Sequence, residues 1–425
     1  MRSRPWRAAF ATALCSALVG GLIALAAADE TRSSKSVAPR VLEPALARAA
    51  APDELDGFAL LKRARVEGDK YYSKLDSGER VELTLSPKLQ AHVQEVFARY
   101  AVPAGAFVAI EPKTGRVLAY VSHGTGDRVL DSSPPAASVF KLITSSALLD
   151  AGVSPDTRTC YGGGASSISA IDIQDNPRRD RSCVTLSQAL GSSTNAVFAK
   201  LAVRKLEPAG LNRYAKAFGF GQPLPGELRA TAGPCDVPDQ QLEFARTAAG
   251  FWHSRMSPLH GALIAATFAN AGIMPSAGMI ERVLETDGRV RYARGGAAHP
   301  GRRVLEASTA RAVGRMMLRT VKEGTSREAF RDPRGRPYME GIEVAGKTGS
   351  LSSGDPYRAY SWWVGFAPAD QPQVALAALV INSDKWRIKS SFVARDALEQ
   401  FLPAWRCTQL AGPTSDRRCA KTQRR

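Results

Sequence analysis

No segment of this 425-residue chain repeats at a fixed period, and its 36 glycines and 26 prolines are scattered along the length, which excludes a solenoid. Cysteine is sparse, six in all, and none stands at zinc-finger spacing, so a structural zinc module is excluded as well. Acidic residues are outnumbered, 40 Asp and Glu against 57 Lys and Arg, for a formal net charge of +17. In a cytosolic chain that excess would suit nucleic acid; outside the cytoplasm it suits anionic polymers or lipid headgroups, and it identifies no partner. A content of 44% hydrophobic and 23% charged residues excludes wholesale disorder.

What is present begins with an export signal. Arg2, Arg4 and Arg7 precede an uncharged apolar run over residues 8–28, and Asp29 and Glu30 follow it. The run reaches the length a membrane span needs, and the arginines place its N-terminus in the cytoplasm. Residues 1–28 are therefore read as a single N-terminal anchor. Ala24-Leu25-Ala26 and Ala26-Ala27-Ala28 offer cleavage sites for the alternative, a signal peptide and a secreted protein. Export permits disulfides. With Cys15 inside the apolar run, Cys160, Cys183, Cys235, Cys407 and Cys419 remain, an odd number. The Gly/Ser-rich, charged segment between Cys160 and Cys183 lacks apolar residues to hold it, which predicts a disulfide there; Cys407 with Cys419 is a second candidate pair.

Residues 29–80 are polar and Ala/Pro-rich and read as a stalk with one short helix around Leu55, Phe58, Leu60 and Leu61. Folded structure is expected over 81–405, and a basic tail over 406–425. Val81, Leu83 and Leu85 alternate as in a strand, and Ser86-Pro87 opens a helix. Residues 106–110 and 117–121 form a hairpin about Glu111-Pro112-Lys113-Thr114-Gly115. The middle of the chain, to Gly272, is mainly helical in pattern. Apolar strand-like runs return at 342–345, 362–366 and 374–381, before a closing amphipathic helix over 392–402. Strands at both ends around a helical middle predict an α/β (α+β) domain: an antiparallel sheet completed by distant segments, flanking helices and a mainly helical subdomain.

Three short motifs carry candidate chemistry. Ser138-Val139-Phe140-Lys141 opens a helical pattern, where residues three apart share a face, so a desolvated Lys141 could serve the Ser138 hydroxyl as base. Ser193-Thr194-Asn195 places polar groups between two apolar helical stretches, at a helix-to-helix corner. Lys347-Thr348-Gly349-Ser350 follows an apolar strand, where glycine permits close approach of a substrate backbone. Two other matches are set aside: Lys113-Thr114-Gly115 is a hairpin turn, and the stretch from Gly341 to Thr348 fits the P-loop spacing but is strand-forming and precedes no helix.

Ser-x-x-Lys, Ser-x-Asn and Lys-Thr-Gly in this order resemble the active-site set of penicillin-binding proteins and serine β-lactamases. The resemblance extends over residues 81–402, including the Glu-Pro-Lys-Thr-Gly hairpin, Ser257-Pro258-Leu259 and Ser361-Trp362-Trp363-Val364-Gly365. It implies Ser138 as nucleophile, Lys141 as its base and Ser193 as a proton relay. Asn195, Lys347, Thr348 and Gly349 would bind substrate, and the backbone N–H groups of Ser138 and Ser350 would form an oxyanion hole. It further implies peptidoglycan stem peptides as substrate, β-lactam antibiotics as acylating ligands and the cell-envelope membrane as location, with no nucleic acid, metal or cofactor. No Glu-x-x-Leu-Asn motif supplies the carboxylate with which one class of β-lactamase activates water, and no glycosyltransferase-sized region precedes Val81. A monofunctional D,D-transpeptidase is the resulting expectation. A D,D-carboxypeptidase, a β-lactamase and a non-catalytic penicillin sensor are the alternatives.

Overall fold

The computed structural model describes residues 55–294, 301–354 and 356–409, with side chains to residue 402. The apolar N-terminal run, the Cys407–Cys419 pair and the tail beyond residue 409 lie outside what is described. The principal sheet has five strands, β1 (Ala104–Ile110), β2 (Val117–His123), β3 (Ala345–Ser353), β4 (Arg358–Ala367) and β5 (Val374–Asn382), in the spatial order β3-β4-β5-β1-β2. Every pairing in it is antiparallel, and the β1–β2 hairpin joins the last three strands of the chain through β5 against β1. The distant-segment sheet expected from the sequence is the observed one.

Eight of the ten α-helices among the described residues position the site: α1 (Pro87–Arg99), α2 (Lys141–Asp150), α3 (Leu186–Ser192), α4 (Asn195–Lys205), α5 (Gln241–Ala248), α6 (Pro258–Ala269), α7 (Ala307–Lys322) and α8 (Ser390–Gln409). Ser86 caps α1 by accepting from the Leu89 N–H at 3.3 Å, with proline at the first turn, and Ser257 caps α6 in the same way. Strand β5 is buried along its whole length, so it reads as one continuous apolar run, yet its side chains still divide by the two-residue period of a strand. Ala375, Ala377, Leu379 and Ile381 join the core beside α6, whereas Val374, Leu376, Ala378 and Val380 pack with α1 and α8. The consecutive tryptophans of β4 split likewise. The indole N–H of Trp362 donates to the Pro135 carbonyl at 2.8 Å, and that of Trp363 to the Ser326 hydroxyl at 3.1 Å on the opposite face.

Two expectations need correction. The short helix expected around Leu55, Phe58, Leu60 and Leu61 is Gly57–Arg63, but the residues after it, assigned to a stalk, form the strands Arg65–Glu67 and Lys70–Lys74. These strands join Arg80–Leu83, Ile280–Leu284 and Val290–Ala293 in a second antiparallel sheet. Arg65–Glu67 is fully exposed and Lys70–Lys74 only partly covered, so the polar composition is that of a sheet with a wet face. The strand expected over 342–345 instead starts at Ala345 and runs on through Lys347-Thr348-Gly349-Ser350 to Ser353, which places the motif inside an edge strand. Lys113-Thr114-Gly115 is the hairpin turn expected, with Gly115 at φ +74°.

Cys160 and Cys183 face each other in a small two-stranded sheet and are joined by a disulfide, as the intervening segment predicted. Cys235 is the free cysteine among the described residues, its thiol pushed up to about 12 by burial. The bridge closes a loop with a sequence separation of 23, and in the chain-entropy model its removal costs about 3 kcal/mol. A Cys160→Ala/Cys183→Ala protein is therefore expected to unfold at lower denaturant, with a slope equal or steeper because its unfolded chain is less constrained, measured by guanidinium titration.

Candidate active site

The helix that carries Ser138 begins with a tight turn. Residues Ala137–Phe140 are 3₁₀-helical before α2 takes over at Lys141, and in a 3₁₀ turn side chains at i and i+3 eclipse. That local choice brings the Lys141 ammonium nitrogen to 2.7 Å from the Ser138 hydroxyl oxygen. Ala137, just before the serine, sits at φ +50°, a left-handed position rare for a residue with a Cβ. Two glycines allow the backbone to crowd this turn. A Cβ on Gly250, at φ +86°, would lie 2.4 Å from the Ala137 carbonyl oxygen and 3.0 Å from the Ser138 Cα; one on Gly349 would lie 3.2 Å from the Ala137 Cβ. Strand β3 and the segment after α5 thus press on the nucleophile turn from two directions.

Lys141 is completely buried. Besides Ser138 it donates to Asn195 Oδ1 at 2.7 Å and to the Ala249 carbonyl at 2.6 Å. Burial, and next the positive charge of Lys347, push its pKa well below the ordinary lysine range. Asn195 is the first residue of α4, and its amide nitrogen donates to the Ala165 carbonyl at 2.7 Å. Its orientation is therefore set by the loop that the Cys160–Cys183 bridge closes. Ser193 ends α3 in the left-handed conformation, φ +59°, and its hydroxyl accepts from Lys347 at 2.9 Å. Thr194, between them, turns aside and bonds the Ser192 hydroxyl.

Lys347 is also fully buried, and burial pushes it down to about 7. It donates to Ser193 and to the Thr348 carbonyl. The Thr348 hydroxyl meets that of Thr325 at 2.5 Å, and the Thr325 N–H donates to the Gly191 carbonyl, tying the strand edge to α3. Ser350 is exposed on the edge strand beside the mouth of the cleft. The three motifs, far apart in sequence, therefore meet through two bonds: Lys141 to Asn195 and Lys347 to Ser193. Thr325, the Ala249 and Ala165 carbonyls and Gly250 belong to the same site. No motif marked them, because backbone carbonyls and a turn threonine have no side-chain signature.

The cleft has a volume of about 690 Å³ and is lined by Ser138 and Asn195, by residues 165–168, by Glu243, Arg246 and residues 249–253, and by Ser350, Leu351, Ser352, Tyr357 and Trp386. Among the described lining residues Glu243 is the single carboxylate. It is occupied by the Arg246 guanidinium at 2.5 Å and by His253 at 2.8 Å, and His253 is the first cause of its lowered pKa. Glu227, the nearest acidic candidate in the sequence, accepts from the Met279 and Ile280 N–H groups and pairs with Arg294, away from the cleft lining. No group of three or more His, Cys, Asp or Glu among the described residues could hold a metal.

A hydroxyl at 2.7 Å from a fully buried lysine, beside an exposed sheet edge, defines the class of serine acyl-transfer enzymes. Within that class the chain belongs to the penicillin-binding protein transpeptidase domain family, whose sequence profile matches residues 105–399. It is 28% identical over 350 residues to the peptidoglycan D,D-transpeptidase PbpA of Mycobacterium tuberculosis (strain CDC 1551 / Oshkosh), covering 72% of this chain and 68% of that one. It is 24% identical over 335 residues to the probable peptidoglycan D,D-transpeptidase PbpC of Pseudomonas aeruginosa, covering 72% of this chain and 54% of the other. Among solved structures, penicillin-binding protein A from M. tuberculosis as its imipenem acyl-enzyme complex superposes with a TM-score of 0.64 at 26% identity, covering 76% of this chain and 79% of that one.

The two lysines predict a pH profile. With Lys141 as the expected base, acylation would be lost as pH falls through its depressed pKa; with Lys347 as the expected partner of a ligand carboxylate, binding would be lost as pH rises through its value, about 7. The second-order rate constant for penicillin acylation is expected to be bell-shaped. With a penicillin amidated at its carboxylate, the alkaline limb should disappear while the acid limb stays.

Proposed function

We propose that this protein is a peptidoglycan D,D-transpeptidase that cross-links stem peptides through an acyl intermediate on Ser138, which β-lactams intercept. The observation that carries the assignment is the Lys141 amine, buried and 2.7 Å from the Ser138 hydroxyl. Neutral Lys141 takes the hydroxyl proton as Oγ attacks the carbonyl carbon of the penultimate D-alanine. The backbone N–H groups of Ser138 and Ser350 receive the developing oxyanion. The terminal carboxylate is held by Lys347 and Thr348, and the substrate amide by Asn195. As the tetrahedral adduct collapses, the C–N bond breaks and the leaving D-alanine amine takes a proton relayed through Ser193. An acceptor amine then attacks the ester, returns its proton through the same groups and frees Ser138.

Transfer is favoured over hydrolysis by what lines the cleft. A β-lactamase or carboxypeptidase must deprotonate water in the acyl-enzyme, and the one carboxylate among the described lining residues is taken by Arg246 and His253. Edge strand β3 leaves backbone groups open for a peptide to pair along. The apolar run over residues 8–28 supports a membrane-anchored enzyme whose catalytic part lies outside the cytoplasm.

Labelled penicillin is expected to modify Ser138, and Ser138→Ala and Lys141→Ala to abolish labelling in folded protein, read by peptide mass mapping. The adduct should outlast its formation by far, and an acyl-D-alanyl-D-alanine donor should be transferred to an added D-amino acid in preference to water. Rapid catalytic loss of the adduct would indicate a β-lactamase, and D-alanine release without transfer a carboxypeptidase.

A further inference from the structure

The Cys160–Cys183 bridge lies outside the cleft, on a small sheet of its own. Its strands, Arg158–Tyr161 and Ser182–Thr185, are four residues each and pair only with one another. A two-stranded ribbon of that size is marginal in water unless something else holds it. The cross-link that holds this one is open to solvent: Cys160 is exposed and Cys183 half-buried. Cys235 contrasts with the pair, since burial pushes its thiol up to about 12 and leaves it without thiolate for exchange near neutral pH.

Thiol–disulfide exchange needs an accessible sulfur and a leaving thiolate whose charge is tolerated. An incoming thiolate meets the Cys160 sulfur from solvent; the S–S bond breaks and its electron pair leaves on the Cys183 sulfur. Arg158 reaches the Cys183 carbonyl at 3.5 Å, which sets a guanidinium at the residue where that charge forms, before the sulfur takes a proton. When the attacker is a dithiol, its second thiolate displaces Cys160 from the mixed disulfide. Two electrons pass to the protein, and the reductant closes its own disulfide.

An opened bridge has a route to the catalytic groups. Gly162-Gly163-Gly164 follow Cys160 closely, Gly163 and Gly164 at φ +95° and +71°, and form a pliant neck to the loop. The loop keeps its own shape through the Ser169–Asp172 capping box and the Asp172–Arg179 ion pair, so it shifts as a body once the neck is released. Lys200 limits the shift. Buried on α4, it donates to the Cys160 carbonyl and to Asp180, which keeps the two strands close enough for the bridge to close again. What the shift disturbs is the Ala165 carbonyl, the acceptor that orients Asn195 beside Lys141.

We infer that Cys160–Cys183 is a thiol–disulfide exchange site of the folded protein, opened by an external dithiol, and that its oxidation state sets how firmly Asn195 is held.

The test treats the full-length chain with dithiothreitol in native buffer. The bridge should be reduced without unfolding, at a rate within about tenfold of that for the same disulfide in a peptide of residues 158–185. Hydrogen exchange should then rise in residues 161–182. The rate constant for penicillin acylation should fall about three- to tenfold, the worth of one positioning hydrogen bond, and recover on reoxidation. A Cys160→Ser/Cys183→Ser protein should behave as the reduced form with or without dithiothreitol, and Cys235→Ser should respond as the parent does. If the double variant folds poorly, the cycle of reduction and reoxidation on the parent protein decides. Reduction only under conditions that melt the domain, hydrogen exchange unchanged by reduction, or acylation indifferent to the state of the bridge would overturn the inference. If penicillin labels no form of the protein, the transpeptidase reading falls instead, and reduction rate and hydrogen exchange still decide the exchange site.

Discussion

A lysine sealed from water and kept within hydrogen-bond reach of a serine is the constraint around which this protein is arranged. Lys141 is wholly buried, with its nitrogen within hydrogen-bond distance of Ser138, Asn195 and the Ala249 carbonyl and 5.6 Å from the Phe198 ring; as the neutral amine it donates to the latter two acceptors and accepts from the Ser138 hydroxyl. An ammonium in such a place is costly, and a second buried lysine, Lys347, adds repulsion. Burial thereby favours the neutral amine, which is the state a base requires. The cost of burying the group and its chemical use are therefore one fact.

Each partner of Lys141 comes from a different part of the chain, so the site reports on the whole fold. Ser138 depends on the 3₁₀ turn, and that turn on Gly250 and Gly349 lying against it. Asn195 depends on the Ala165 carbonyl and so on the loop closed by the disulfide. Lys347 depends on β3, which is held by a nine-residue register against β4. Trp362, on β4, reaches across to the Pro135 carbonyl three residues before Ser138. Sheet, helical subdomain and nucleophile turn are thereby joined by named bonds.

Much of this was legible in the sequence, for reasons that differ from element to element. Ser86-Pro87 and Ser257-Pro258 announced helix starts because capping is local chemistry. The Ala106 and Val117 strands and the run ending at Ile381 were plain because both faces of the sheet are covered, so apolar character is continuous. The three motifs were found by residue type, and their assembly was suggested by resemblance alone; the bonds of Lys141 to Asn195 and of Lys347 to Ser193 supply the geometry. Illegible were the strands Arg65–Glu67 and Lys70–Lys74, whose residues remain largely in water, and Thr325, which acts through a single hydroxyl in a turn. Trp252 and Trp386, exposed where they line the cleft, were also missed, since an exposed tryptophan differs from a core one only in its surroundings.

The central claim is that Lys141 is neutral at the pH where the enzyme works. It can be tested by recording the ¹³Cε resonances of labelled lysine through a pH titration and assigning Lys141 by its absence from the Lys141→Arg spectrum. The account predicts that the Lys141 resonance moves to the neutral-amine position at a pH well below that at which the surface lysines titrate. A Lys141 resonance that stays at the ammonium position until it titrates with the surface lysines would contradict it.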